Sequence, residues 1–321
     1  MNKNDKILIL GGTGLVGSAL VREFKRQNFN NILSPGREEL DATDQKQVAD
    51  YFTKEKPRTV ICAAAKVGGI YANSNYPADF IFNNLLIQGS VFKACFEFNV
   101  EKFLFLGSSC IYPKNCPQPI KEEYLLQSPL EPTNEPYAIA KIAGLKLAES
   151  FKKQYNKNFF SVMPTNLYGE NDNFHPQNGH VIPCLINRLY KVMEKKEDKF
   201  VVWGTGNPLR DLLYVDDLAK ACIFLLDLKE ENPYHWINIG TGTDCSIKEL
   251  AETIANVMGF KGKIVFDNSY PDGTFRKCLD VSKINAMGWK YETPLKKGIE
   301  KTVNFFLKSK RIESNLSENT L

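Results

Sequence analysis

The most constraining feature of this chain is a glycine-rich turn, Gly11-Gly12-Thr13-Gly14-Leu15-Val16-Gly17. It lies between a short apolar run, Lys6 to Leu10, and a segment with helical spacing, Leu15 to Arg26. Both Gly-x-Gly-x-x-Gly and Gly-x-x-Gly-x-x-Gly can be read in it. Glycines permit a tight strand-to-helix turn and let backbone approach a pyrophosphate. The helix N-terminus then offers free N–H groups to that anion. Such a turn is specific only as the first strand–helix junction of a chain that goes on alternating, and this one does. Thr59–Ala65, Lys102–Leu106 and Phe159–Met163 read as buried strands, and 78–98 and 137–155 as helices. That alternation predicts an α/β fold, a Rossmann-like doubly wound parallel sheet covered on both faces.

Beyond about residue 168 the pattern changes. Residues 170–179 read as loop, 181–195 as an amphipathic helix, 200–203 and 212–215 as strands, and 217–228 as a helix. A further helix over 246–258 carries Ser246 as N-cap, with Glu249 completing a capping box. The expected division is a nucleotide-binding domain over 1–168 plus about 212–240. A smaller C-terminal substrate-binding lobe takes about 169–211 plus 241–308, and a frayed polar tail takes 309–321.

The second expected contact is with the adenosine ribose. After the next strand an acidic residue would select an NAD 2′-hydroxyl, but this chain has Pro35-Gly36-Arg37. A guanidinium there suits a 2′-phosphate, which favours NADPH/NADP. Asp41 is placed to accept from the adenine amino group. Tyr137 and Lys141 stand at i and i+4, on one face of a helix. The ammonium is expected to lower the phenol's pKa and hold the nicotinamide ribose, while the tyrosine exchanges a proton. Ser108 follows the strand 102–106, at the strand end where an α/β site is expected.

Bulk properties narrow the class. In 321 residues, 43% are apolar and the net charge is +4 with signs mixed, which gives no nucleic-acid or membrane footprint. No apolar run reaches the roughly 18 residues a bilayer needs. Eight cysteines without a Cys-x-x-Cys pair read as free thiols in a reducing cytoplasm, with no metal expected. Cys62, Cys95, Cys184 and Cys222 lie in apolar surroundings and read as core, and His235 as structural.

Longer strings narrow the reading further. AAAKVGGI (63–70), GSSCIYP (107–113), LEPTNEPYAIAKIAG (130–144), MPTNLYG (163–169), DNFHP (172–176) and HVIP (180–183) resemble one branch of the extended short-chain dehydrogenase/reductase family. That branch makes GDP-L-fucose from a GDP-4-keto-6-deoxy-mannose, as NADPH-dependent 3,5-epimerase/4-reductases. The resemblance runs from residue 6 to about 300. It implies a reductive triad of Ser108, Tyr137 and Lys141, and an epimerising pair of Cys110 and His180. It further implies cofactor contacts at Gly11, Thr13, Gly14, Leu15, Val16, Gly17, Arg37, Asp41, Ala63, Ala65, Pro164, Asn166, Leu167 and His180, besides Tyr137 and Lys141. Substrate contacts are implied at Ser108, Asn166, Arg188, Trp203, Arg210 and Lys277. Thr13 stands where some members carry an arginine, which weakens the preference for NADP over NAD.

The implied chemistry makes physical sense. A C4 ketone acidifies the C–H bonds at C3 and C5. A thiolate can act as base on one ring face if positive charge, such as Lys141 or a nicotinamide ring, lowers its pKa. An imidazole can return the proton on the other face. Ser108 and Tyr137 would hold the enolate oxygen. A GDP-4-keto heptose, reduced with or without epimerisation, remains an alternative substrate. A 4,6-dehydratase would need an acid–base pair where this chain has Cys110-Ile111. A non-enzymatic dinucleotide sensor would not need both Tyr137 and Lys141. The resemblance also implies a homodimer through helices 78–98 and 137–155.

Overall fold

In a computed structural model the chain is described over residues 1–176 and 179–318. The first strands and helices are β1 (Ile7–Leu10), α1 (Leu15–Arg26), β2 (Ile32–Leu33), α2 (Gln45–Glu55), β3 (Thr59–Cys62), α3 (Ile70–Asn75) and α4 (Pro77–Glu97). Next come β4 (Lys102–Leu106), α5 (Glu135–Tyr155), β5 (Asn158–Pro164), β6 (Asn166–Tyr168), α6 (Val181–Glu194), β7 (Lys199–Trp203), β8 (Leu209–Arg210), β9 (Leu212–Tyr214) and α7 (Val215–Leu226). The chain continues through β10 (Trp236–Ile239), β11 (Cys245–Ser246), α8 (Ile247–Met258), β12 (Lys263–Asp267), β13 (Arg276–Lys277), α9 (Ser282–Ala286) and α10 (Leu295–Glu318).

Six strands form one parallel sheet in the order β10-β5-β4-β3-β1-β2. The strands are apolar throughout because both faces are covered. Ile7, Ile9 and Leu104 point into one core with residues of α1 and α7. Leu8, Leu10, Val60, Cys62, Phe103 and Phe105 point into the other with residues of α2 and α4. The order turns back at β1, so the crevice between the carboxyl ends of β1 and β3 is the switch point where such sheets bind ligands. The strand β10, which no sequence pattern singled out, completes the sheet next to β5.

A third core joins α6, β7, α8 and α10 through Leu185, Leu189, Phe200, Leu250, Ile254 and Val303. Leu279, Val281, Ile284 and Trp289 pack instead into the core shared with α1 and α7. The predicted capping box is formed: the Glu249 N–H donates to Ser246 Oγ at 3.1 Å, and the Ser246 N–H donates to Glu249 Oε2 at 2.8 Å. The expected frayed end departs from prediction, because α10 carries the polar residues 309–318 as helix. Residues 319–321 lie outside the described chain. Among the described residues no helix is long and apolar enough to cross a membrane.

Two devices fix α5 over the sheet. A Cβ at Gly144 would come within 2.4 Å of the Phe105 ring, so glycine lets the helix lie directly on β4. Phe92 of α4 meets Phe103 edge-on at 4.6 Å between centroids, Phe105 at 5.8 Å and Phe151 of α5 at 6.0 Å. Phe92→Ala removes this shared knob and is expected to cost about 3–5 kcal/mol of stability. Chemical denaturation monitored by circular dichroism checks it.

Candidate active site

The glycine turn takes the shape the sequence requires. Gly11 has φ +83°, and a Cβ there would meet the Ala64 backbone at 2.8 Å. At Gly17 a Cβ would lie 2.0 Å from the Gly11 carbonyl oxygen, so helix and turn touch without a side chain between them. Gly14 caps α1 without any side-chain hydrogen bond to the helix, so no capping side chain takes the N–H groups of its first turn. The other wall is the segment after β3. The Lys66 N–H donates to Asn84 Oδ1 at 3.0 Å, and Asn84 Nδ2 returns a bond to the Lys66 carbonyl. Ala63 and Ala65 are thereby held opposite the glycine turn. The donors and the close backbone approach fit a dinucleotide pyrophosphate.

Arg37 lies past the end of β2, with its guanidinium exposed and 3.1 Å from Asp41. Asp41 also accepts from the Thr43 hydroxyl and N–H, which with Arg37 hold its carboxyl below the usual range. Arg37 is open to an incoming 2′-phosphate. Asp41 is already engaged by its own segment.

Ser108, Tyr137 and Lys141 lie together at the carboxyl end of β4. Lys141 is buried and donates to the Leu106 carbonyl at 2.8 Å, which ties α5 to the end of β4. Burial lowers its pKa to about 8. The ammonium lies 5.8 Å from the centre of the Tyr137 ring. The expected lowering of the Tyr137 phenol is not found. Burial raises it, the neighbouring Cys110 adds to that, and a hydrogen bond with Ser108 only partly opposes it. The free phenol is therefore a held proton, suited to donation.

Cys110 sits on a short 3-10 turn, Ser109–Ile111, whose first residue is fixed when the Cys110 N–H donates to Ser108 Oγ at 3.2 Å. A buried network anchors the turn's far side. The Tyr112 hydroxyl donates to Asn238 Oδ1 of β10 at 2.6 Å, and Asn238 Nδ2 donates to the Ile120 carbonyl. Burial opposes ionisation of Cys110, but Lys277, Ser108 and His180 outweigh it and lower the thiol's pKa. The Lys277 ammonium is 3.5 Å from Cys110 Sγ. The expected sources of positive charge were Lys141 and the nicotinamide ring; within the chain, Lys277 and His180 supply it rather than Lys141. Cys62, Cys95, Cys116, Cys184, Cys222, Cys245 and Cys278 are all raised by burial. Cys184, expected in the core, is only part-buried and donates to the His175 carbonyl.

His180 immediately precedes α6 and leaves about half its side chain open to the cleft. Its pKa is raised, chiefly by the Asp172 carboxylate and further by Cys110, against burial and Lys277. Asn166 Nδ2 and the Thr165 hydroxyl both donate to the Asp211 carbonyl, at 3.1 and 3.0 Å. This fixes Pro164, Asn166 and Leu167 at the mouth between β5 and β9. His235 lies on the far edge, where burial lowers its pKa.

The remaining basic residues form a second group. The Arg188 guanidinium stacks 4.1 Å over the Trp203 ring and donates to the Val201 carbonyl. Tyr270 covers Trp203 in a stack of 4.6 Å. Arg210 pairs in register with Lys277 across β8 and β13, and donates to the Thr274 carbonyl at 2.7 Å. The two groups thus meet at the Arg210–Lys277 rung. Among the described residues no set of three or more His, Cys, Asp or Glu could hold a metal ion. Sequence reading missed Asp172, Asn238 and Tyr270. Only Asp172 lay within a string that had drawn attention, DNFHP.

Residues 7–240 match the NAD dependent epimerase/dehydratase family. The chain is similar to GDP-L-fucose synthase of Escherichia coli (strain K12), 49% identical over 311 residues, spanning 95% of this chain and 97% of that protein. It superposes on a GDP-L-fucose synthetase from Naegleria fowleri bound to NADP, with TM-score 0.89 and 32% identity, covering 97% of this chain and 95% of that one. It also superposes on a GDP-mannoheptose C4 reductase from Campylobacter jejuni with NADP bound, with TM-score 0.85 and 38% identity, covering 95% and 99%.

The Lys277–Cys110 contact predicts a reactive thiolate. Alkylation of Cys110 by iodoacetamide, followed by peptide mass spectrometry, should titrate below an ordinary thiol. Lys277→Gln should slow it roughly tenfold near neutral pH, the loss expected for one pKa unit.

Proposed function

We propose, for a chain that belongs to the NAD dependent epimerase/dehydratase family, the activity of an NADPH-dependent 3,5-epimerase/4-reductase that converts a GDP-4-keto-6-deoxy-mannose-type sugar to GDP-L-fucose. The observation that carries this reading is one cleft holding two sets of chemistry. A donor triad, Ser108, Tyr137 and Lys141, stands beside a thiol of lowered pKa, Cys110, with an imidazole of raised pKa, His180. A reductase alone needs only the first set. The near-full-length likeness to a GDP-L-fucose synthase supports the substrate.

The residues divide the work as follows. Arg188, Trp203, Arg210 and Lys277 bind the GDP moiety. Asn166 orients the sugar. Cys110 takes the proton from C3 while His180 gives one to the opposite face; Cys110 then releases its proton to solvent, His180 regains one from solvent, and the same cycle follows at C5. Ser108 and Tyr137 hold the enolate oxygen, which a neutral, proton-bearing phenol does well. NADPH, when bound, supplies the hydride that reduces C4. Tyr137 then gives its proton to the C4 oxygen, and Lys141 holds the ribose in place. Gly11, Thr13, Gly14, Leu15, Val16 and Gly17 hold the pyrophosphate, Ala63 and Ala65 line the opposite wall with Pro164 and Leu167 at the mouth, and Arg37 with Asp41 holds the adenosine end.

A second reading is a C4 reductase of a GDP-4-keto heptose, favoured by the 38% identity to a heptose reductase. NADPH oxidation with each sugar, run in deuterated water with the product identified by NMR, separates the two. Rapid turnover of the 6-deoxy sugar with deuterium at C3 and C5 is expected. Turnover of the heptose alone would transfer the assignment to the second reading. Tyr137→Phe should lower kcat by about 10²–10⁴-fold with NADPH binding retained.

Residues 1–168 and 212–240 form the dinucleotide lobe, and 169–211 with 241–308 the sugar lobe; the separate core of α6, β7, α8 and α10 supports this division, while residues 279–289 pack back onto the first lobe. The enzyme works in the cytoplasm, in keeping with eight free cysteines. It is a homodimer through α4 and α5, whose Phe82, Leu85, Leu86, Ile139 and Tyr155 are exposed. Phe82→Glu combined with Leu85→Glu should yield a monomer by light scattering. An unchanged mass would exclude this face.

A further inference from the structure

One buried acid in the cleft is unused by the reading above. Asp172 lies in the segment between β6 and α6 with its side chain 3% exposed. Its Oδ1 accepts the Asn173 N–H at 2.7 Å, while the buried Oδ2 has no hydrogen-bond partner among the described residues. A carboxylate withdrawn from water in this way costs free energy unless a donor or cation meets it. The chargeable side chain within ion-pair distance of this carboxylate is His180, whose Nδ1 is 3.7 Å from Asp172 Oδ1.

His180 is flanked on three sides by chargeable groups. Asp172 approaches from its own segment, Cys110 from the turn after β4, and Lys277 from β13. Lys277 disfavours a charged imidazole, and Cys110 can offer compensation only while it is a thiolate. Once Cys110 has taken a proton from the sugar, that compensation disappears. Asp172 is then the remaining acidic partner of the ring, 3.7 Å away.

We propose that Asp172 is the positioning residue of His180: its buried carboxylate accepts a hydrogen bond from Nδ1–H, fixes the ring, and stabilises the imidazolium whose Nε2–H faces the sugar. The inference rests on the reading of His180 as the proton donor. A carboxylate behind an imidazole selects the tautomer and stabilises the charged ring. Asp172 itself touches neither sugar nor cofactor.

The test uses the full-length protein and needs no sugar for its first arm. The chain has three histidines, so the ring protons can be followed by NMR, with His180→Gln identifying the signal. In Asp172→Asn the His180 titration should move to lower pH, a roughly tenfold loss of proton affinity. His235 should not move. The second arm measures deuterium incorporation at C3 and C5 against pH. A donor must be protonated, so incorporation is lost as pH rises through the His180 titration. That limb should move to lower pH in Asp172→Asn by the same factor and return in part in Asp172→Glu, with NADPH affinity unchanged throughout. An unmoved His180 titration in folded Asp172→Asn would overturn the proposal. Should that variant not fold, a wild-type His180 titrating at or below the ordinary imidazole value of about 6.5 overturns it equally. If the wild-type enzyme incorporates no deuterium, the epimerase reading fails, and the NMR arm alone still decides the role of Asp172.

Discussion

The site depends on one joint, the buried ammonium of Lys141 against the Leu106 carbonyl at the end of β4. Burial alone disfavours that charge, and the carbonyl and the Phe105 ring face, 4.8 Å away, are what hold it. The joint exists only because Gly144 lets α5 rest on Phe105, and because the Phe92 cluster keeps α4, α5 and the sheet in register. Tyr137 is carried one turn from Lys141 on the same helix face. Ser108 is carried by the strand that accepts the lysine's bond. Three side chains from two elements are thus fixed by a single contact.

The acid–base half of the cleft is built differently. It has no shared helix. Cys110 comes from the turn after β4, His180 from the start of α6, Lys277 from β13 and Asp172 from the segment following β6. For Cys110 and His180, neighbouring charges and hydrogen bonds outweigh burial. Burial pushes the thiol of Cys110 up, and two neighbouring cations pull it further down. The cost of placing charges together is offset because the set alternates in sign, with Asp172 beside His180 and Cys110 beside Lys277.

Much of this was legible in the chain itself. The glycine turn, the alternating strands and helices, the capping box at Ser246 and the Tyr137–Lys141 pair are local patterns with fixed spacing, and local patterns survive folding. Cys110 and His180 came from resemblance, since neither carries a periodic signal. What stayed hidden was long-range pairing. Lys277 lies 167 positions from Cys110, and Asn238 lies 126 from Tyr112. The short strands β2, β8, β11 and β13 are two residues each, too brief to show a period. The phenol of Tyr137 was misread because spacing shows that a lysine is near, but not that both groups are dehydrated.

Eight thiols share this chain, and seven are held in their protonated form by burial. Electrophiles and peroxides react with thiolate, so their attack converges on Cys110. The atom that makes the carbon acid chemistry feasible is therefore also the chain's point of oxidative wear, and the same Lys277 sets both.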